Sequence, residues 1–190
     1  MLIDSKNTIS EIWDTLAHEL YRGALDPKHP FRYLNLGTMG EEFPEVRTVV
    51  LRKVDQDLNF YIFTDSRSEK IKSLEENPKV ALHFYHPQKR VQIRIQSETE
   101  IHHQDELAKD LWKRVQGEAQ KAYASILPPG KEIENPEQAW DWPDAIDDQN
   151  FTVLKFIPQT LEVLQLNGLT HLRLRFSKEG KDWKGTWLVP

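Results

Sequence analysis

The sequence predicts a mainly β protein with flanking helices (α+β): an antiparallel sheet closed, or nearly closed, into a barrel, with helices at its rim. Three observations predict this. About eight β-runs and three helical stretches occur without β-α-β alternation, which argues against a parallel doubly wound sheet. Successive β-runs are joined by short turn signals, Asp55-Gln56-Asp57, Pro87-Gln88 and Asn167-Gly168, as antiparallel neighbours require. Residues 90–101 alternate, with Val91, Ile93 and Ile95 on one face and Arg90, Gln92, Arg94 and Gln96 on the other, so one side of that strand looks at solvent, a partner or a ligand.

Taken in order, residues 8–22 form the first helix. Ile9, Ile12, Trp13, Leu16 and Leu20 make one apolar stripe, Thr8 and Glu11 a capping box, and Gly23 the stop. A rigid loop at 26–30 leads to a strand at 31–36, and residues 37–44 turn the chain. Residues 47–54 and 58–64 read as a hairpin about Asp55-Gln56-Asp57. A short helix at 68–76 turns Ile71 and Leu74 inward and stops at Asn77-Pro78, since proline cannot continue the ladder. Residues 80–85, apolar at nearly every position, read as a central strand, followed by the alternating strand 90–101. The longest helical pattern is 104–126, striped by Leu107, Leu111, Trp112, Val115, Ala119, Ala122 and Tyr123 and ended by Pro128-Pro129-Gly130. Residues 131–150 are polar and proline-containing, a loop long enough to be functional or disordered, although Trp140 and Trp142 argue that part of it packs. Four strands close the chain at 151–157, 160–166, 169–176 and 182–189, with turns at Asn167-Gly168 and 178–181.

The 190 residues fit one domain, spanning 1–190 with a long loop at 128–150. Hydrophobic content of 38% is lean, and long polar connections or a subunit interface would account for it. Twenty-five basic against 30 acidic residues give a net charge of −5, so no nucleic-acid footprint is expected. The absence of cysteine excludes disulfides, thiolate metal sites and cysteine nucleophiles. The start, MLIDSKNTIS, has no apolar core of a leader, and no apolar run approaches a membrane span, so a cytoplasmic protein without membrane partners is expected. His102-His103 is no metal pair, because neighbours on a strand point to opposite faces.

Against this acidic background one basic cluster is conspicuous. Arg47, Arg52, Arg67 and Lys70 surround the turn 65–70, where Ser66 and Glu69 have capping-box spacing. Unpaired amides at a helix start attract anions, phosphate above all, so a small anionic ligand is expected here, with a capped surface helix beside scattered charges as the plainer alternative.

The order of motifs resembles the pyridoxamine 5′-phosphate oxidase-like FMN-binding split barrels. The family pattern runs Arg-x-x-x-Leu-Lys/Arg, aromatic-Thr, Ser-x-Lys, Asn-Pro, then arginines around a glutamine. It stands here as Arg47-Thr48-Val49-Val50-Leu51-Arg52, Phe63-Thr64, Ser68-Glu69-Lys70, Asn77-Pro78 and Gln92-Ile93-Arg94, and the tail Trp183 to Pro190 also matches. The resemblance implies an antiparallel split β-barrel with FMN held at a homodimer interface. Arg47 and Lys70 would face the FMN phosphate beside Ser68 and Glu69. Thr48, Val49, Val50, Leu51, Arg52, Phe63 and Thr64 would line the flavin and its ribityl chain, Gln92 would reach it from the polar face, and Arg175 matches a family arginine that touches FMN.

The chain also departs from the pattern where the family reads its substrate. The Tyr, Arg and Ser that hold the substrate phosphate correspond to Asp110, Arg114 and Glu118, and the family's Arg-Leu-His becomes His171-Leu172-Arg173. A Gln-Ser pair becomes Leu127-Pro128, and a tryptophan at the flavin becomes Leu164. Arg114, His171 and Arg173 remain the candidate substrate residues. Three functions stay open: an FMN-dependent oxidoreductase of another substrate, a genuine pyridoxamine/pyridoxine 5′-phosphate oxidase, or a non-catalytic flavin or haem binder.

Overall fold

A computed structural model describes residues 1–180 and 182–190 and gives nine strands in one branched antiparallel sheet. Helix α1 (Ile9–Leu25) buries Ile12, Leu16 and Leu20, and its capping box forms: the Glu11 amide donates to Thr8 Oγ1 and the Thr8 amide to Glu11 Oε2. Gly23 does not end this helix. It lies within it because a Cβ there would stand 2.8 Å from the Phe31 Cβ, so the glycine permits a close approach instead of a stop.

Strands β1 (Tyr33–Met39) and β2 (Pro44–Val50) pair along their whole length, from Tyr33 opposite Val50 to Met39 opposite Pro44. The expected single strand 47–54 is therefore two strands. Leu51 turns fully into the core while its amide donates to the Arg32 carbonyl at 2.9 Å, and the Arg52 amide crosses to the Tyr61 carbonyl at 2.8 Å. Only β3 (Lys53–Val54) forms the predicted hairpin with β4 (Phe60–Asp65). The chain leaves one half of the barrel and joins the other at this crossing, and β2 and β4 diverge there.

Helix α2 (Glu69–Glu76) follows β4, then β5 (Lys79–His86) and β6 (Val91–His103). β7 (Phe151–Gln165) is one long strand where two were expected. Its first half pairs with β4 and its second half with β8 (Leu172–Glu179), while β6 runs along both. Pro158 is tolerated because the register shifts there, between Gln96 opposite Thr160 and Ser97 opposite Pro158. β9 (Asp182–Leu188) completes the sheet; the expected turn at 178–181 includes Lys181, which lies outside the described residues. The Asn167-Gly168 hairpin closes through a longer connection, with β8 starting at Leu172 and Leu169 fully exposed.

The predicted long helix is interrupted. α3 (Glu106–Trp112) tightens after Trp112 into three-residue turns, the Arg114 amide donating to the Leu111 carbonyl at 3.1 Å and the Val115 amide to the Trp112 carbonyl at 2.9 Å; Gln116 is then extended, Gly117 takes φ +57°, and a 3-10 turn at Gly117–Tyr123 follows. Leu111 and Val115 are buried, but Ala119 and Ala122 are exposed, so the stripe continues past the point where the helix can. In the loop, Trp142 packs, its indole donating to the Lys121 carbonyl at 3.0 Å, whereas Trp140 is exposed.

Gln165, fully buried, pins the N-terminal segment: its carbonyl accepts from the Leu2 amide at 2.7 Å and its amide donates to the Lys89 carbonyl at 2.8 Å. A buried ionic cluster joins α1 to the β5–β6 turn. The Glu19 carboxylate, 5% exposed, accepts from Lys89 at 2.7 Å and Arg22 at 2.9 Å. Burial pushes this carboxyl up, but hydrogen bonds and charge from Lys89 and Arg22 outweigh it and hold the pKa at about 2, against an ordinary 4.5. A depressed carboxylate stabilises the fold above its unfolded pKa and loses that contribution as pH falls. Wild-type stability to urea should therefore decline between pH 4.5 and 2, and Glu19→Gln should be less stable at pH 7 with a flatter acid decline. Parallel acid profiles for the two proteins would contradict this.

Candidate functional site

A cleft of about 460 Å³ opens where β2 and β4 diverge. β2 brings Arg47, Thr48, Val49 and Val50; the crossing brings Arg52; β4 brings Ile62, Phe63 and Thr64. The turn after β4 and the first residues of α2 bring Ser68, Glu69 and Lys70. Ten of the predicted cofactor residues thus converge on one cleft.

Its polar end is a linked set. Lys70 Nζ donates to Thr64 Oγ1 at 2.9 Å, Thr64 Oγ1 lies 3.3 Å from Ser68 Oγ, and Ser68 Oγ donates to the Asp65 carbonyl at 2.7 Å. The expected Ser66–Glu69 capping box is absent; Ser68 is the N-cap and spends its hydroxyl on that carbonyl. Arg47 donates to Thr38 Oγ1 at 2.7 Å and pairs with Glu45. Burial, and then the charge of Arg47, push the Lys70 ammonium below its usual range, only partly offset by Asp65. Lys70 is thus a half-buried cation whose hydrogen-bond partner is a neutral hydroxyl, an environment that an anion would relieve. Apolar Val49, Val50, Ile62 and Phe63 form the other end.

Leu51, Gln92 and Arg175 do not line this cleft. Leu51 is fully buried in the core. Gln92, 3.3 Å from His83, and Arg175 project from the outer face of the sheet, as does Arg173. Arg173 pairs with Glu162 at 3.0 Å, and His171 accepts from the Asn167 amide at 3.1 Å in the β7–β8 connection. Tyr123, Pro129 and Gly130 also line the cleft and escaped the sequence, where Pro128-Pro129-Gly130 signalled only a stop.

A second cavity of about 430 Å³ adjoins the first and shares Arg52 and Phe63 with it. Tyr21, Leu25, Val54, Leu111 and Val115 give it apolar walls, and Arg32, Arg52, Lys53 and Arg114 line it with no carboxylate. Arg52 donates to the Tyr123 hydroxyl at 3.1 Å and its guanidinium stands 5.7 Å from the Phe63 ring centre, while its buried Nε has no partner among the described residues. Burial, then the charge of Arg52, push the Arg32 guanidinium below its ordinary value. The acid pair expected around Arg114 is only half present: Asp110 meets it at 3.0 Å, but Glu118 pairs with Lys121 at 2.8 Å because the helix breaks between them.

The family model for the pyridoxamine 5′-phosphate oxidase FMN-binding domain matches residues 10–103, a span that carries the first cleft apart from Tyr123, Pro129 and Gly130. A pyridoxine/pyridoxamine 5′-phosphate oxidase of Wolbachia pipientis is 30% identical over 171 residues, 83% of this chain and 77% of the relative. The chain belongs to the pyridoxamine 5′-phosphate oxidase family. Two crystal structures share the fold. A pyridoxamine 5′-phosphate oxidase-related, FMN-binding protein of Nostoc punctiforme superposes with TM-score 0.76 at 24% identity, over 93% of this chain and 96% of that one. PhzG of Burkholderia lata, in complex with tetrahydrophenazine-1-carboxylic acid, gives 0.71 at 21%, over 96% and 91%.

FMN is the cofactor of this oxidase-family domain, and the first cleft suits it. Its volume is that of a cofactor cleft, its cationic end lacks a full complement of anions, and its other end is apolar. Among the described residues no three His, Asp or Glu gather as metal ligands: His102 meets Asp105 at 2.7 Å, and His103 meets the Gln149 carbonyl. No helix among the described residues is long and apolar enough to cross a membrane.

Proposed function

We propose that this chain is an FMN-dependent oxidoreductase acting on a substrate other than the phosphorylated vitamers, with the flavin in the cleft between β2 and β4. The observation that carries this reading is Lys70, half-buried beside Arg47 and, among the described residues, bonded only to a hydroxyl. Arg47 and Lys70 hold the flavin's phosphate, with the Ser68 and Thr64 hydroxyls close by, and Val49, Val50, Ile62 and Phe63 give its ring an apolar slot. Bound FMN supplies the redox chemistry; the protein binds, orients and excludes water. The adjoining cavity places a substrate next to the flavin, where an anionic group meets Arg32 and Arg52 with no acid opposing it.

The functional unit in this reading is a homodimer. The outer face carries Thr48, Asn35, His83, Arg94, Glu162, Arg175 and Thr186 in one cross-strand row over seven strands, exposed or half-exposed at each position. A second copy against this face covers it and brings Gln92 and Arg175, remote from the cleft within one chain, toward the partner's flavin. Light scattering at micromolar concentration should then give about twice 22.3 kDa.

Titration by flavin fluorescence quenching tests the cofactor assignment. FMN should bind more tightly than riboflavin, which lacks the phosphate and loses several charge-assisted bonds of about 1.5–3 kcal/mol each. Equal affinities would remove the phosphate from the Arg47–Lys70 end.

A further inference from the structure

The flavin cleft has one wall that belongs to neither β2 nor β4. Pro129 and Gly130, from the segment after the 3-10 turn, line it alongside Lys70. Within residues 125–130 the local bonds are internal or to the same loop: Ser125 Oγ donates to the Leu127 carbonyl at 2.8 Å, and the Ile126 amide to the Asp141 carbonyl at 3.0 Å. Among the described residues, one side chain of the barrel hydrogen-bonds this strap, and it is Arg67. Its guanidinium donates to the Ser125 carbonyl at 2.7 Å and to the Ile126 carbonyl at 3.0 Å.

The same guanidinium grips Asp65 in a two-pronged pair, Nε to Oδ1 at 3.0 Å and NH2 to Oδ2 at 2.7 Å, and the Arg67 amide adds a third bond to Oδ1 at 2.8 Å. The Asp65 side chain is 3% exposed. Its backbone carbonyl accepts from the Ser68 amide and hydroxyl, so it also shapes the turn that delivers Ser68 and Lys70. One ion pair therefore joins the phosphate end of the cleft to the strap that walls it. Arginine is the residue for this task because its rigid planar fork serves a carboxylate and two carbonyls at once; lysine presents a single flexible point of charge.

We propose that Arg67 is a positioning residue for flavin retention: by tying strap 125–130 to the 65–70 turn, it fixes the spacing of the cleft's walls and sets how long the flavin stays. This rests on the assignment of FMN to the cleft made above. Arg67 spends its donors on Asp65 and the strap, so its effect does not depend on the flavin's phosphate. Loss of the tether frees a loop that has few other bonds to the barrel, and the consequence falls on dissociation more than association.

The test measures dissociation rates of FMN and of riboflavin from the full chain for wild type, Arg67→Ala, Arg67→Lys, Pro129→Gly and Lys70→Ala, with tryptic cleavage after Lys131 as a probe of the strap. Both Arg67 variants should release FMN and riboflavin faster by a common factor of about tenfold or more, leaving the FMN-to-riboflavin ratio unchanged, and Arg67→Ala should be cut faster after Lys131. Lys70→Ala should instead lower the ratio. Wild-type release rates in the Arg67 variants, full rescue by lysine, or selective loss of FMN would each overturn the proposal, the last by making Arg67 a phosphate ligand. If Arg67→Ala does not fold, Pro129→Gly alters the exposed strap without touching Asp65; it should speed release of both flavins equally, and unchanged release would overturn the proposal. Should Lys70→Ala leave FMN binding intact, the cleft assignment fails and the tether's role falls with it. An effect of Lys70 without one of Arg67 or Pro129 defeats the tether alone.

Discussion

Lys70→Ala should weaken FMN binding by about tenfold to a hundredfold, or about 1–3 kcal/mol, whereas Lys72→Ala should leave it unchanged. The two lysines stand two residues apart on one short helix and differ in surroundings. Lys70 turns into the cleft, where burial and Arg47 press its ammonium toward neutrality and Thr64 is its hydrogen-bond partner. Lys72, 69% exposed, pairs with Glu41 at 3.0 Å on the solvent side. A phosphate arriving beside Lys70 supplies the counter-charge that this ammonium lacks. Removing Lys70 from the flavin-free protein relieves its repulsion with Arg47, so the apo form should unfold no more easily than wild type. Reduced FMN affinity with undiminished apo stability separates a binding role from a structural one. Titration of both variants with FMN, beside their thermal unfolding without it, checks this; matching dissociation constants for the two variants would take Lys70 out of the site.

Pyridoxamine and pyridoxine 5′-phosphate should be oxidised poorly or not at all by the FMN-loaded protein. The groups at the family's substrate positions are engaged elsewhere. Arg114 is tied to Asp110 at 3.0 Å. Arg173 donates to Glu162 at 3.0 Å, and Arg94 meets the same carboxylate. Burial raises the Glu162 carboxyl, but bonds from Arg173 and Arg94 outweigh it and keep it ionised. His171 holds the β7–β8 connection through the Asn167 amide. Glu118, expected from sequence to repel a phosphate, faces Lys121 instead, so the case now rests on donors already paired and not on opposing acids. Hydrogen peroxide release with each vitamer is the assay. A specificity constant at or above about 10⁴ M⁻¹s⁻¹, the ordinary enzyme range, would make the chain a genuine vitamer oxidase.

What was legible in the sequence was local. The alternation of 90–101, the Thr8–Glu11 capping box and the β-rich C-terminal end all stand in the fold, and ten cofactor residues between Arg47 and Lys70 share one cleft because β2, the crossing after it, β4 and the start of α2 follow one another closely in the chain. What escaped was choice of partner. Residues 47–54 run on without a Gly, Pro or Asn to break them, so nothing marks Leu51 and Arg52 as the point where the chain exchanges β1 for β4. Gly23 looked like a stop because glycine ends helices; its reason, the nearness of Phe31, depends on a contact across the fold. Gly117 lay inside an unbroken stripe, and its positive φ keeps that stripe from continuing as one helix beyond the turns that follow α3. Arg32 belongs to no spacing motif, and Arg67 was legible only as one of the cations around the 65–70 turn. Their bonds to the Ala24 carbonyl and to the Ser125 and Ile126 carbonyls go to backbone groups that no pattern of side chains announces.

The absorption spectrum of the purified protein, with the released cofactor identified, tests the central claim most directly. The account predicts a flavin spectrum, release of FMN in near one-to-one ratio with the chain, and loss of that flavin from the Arg47→Ala/Lys70→Ala double variant. A haem spectrum, a colourless protein that cannot be loaded with FMN, or full flavin occupancy in the double variant would contradict it.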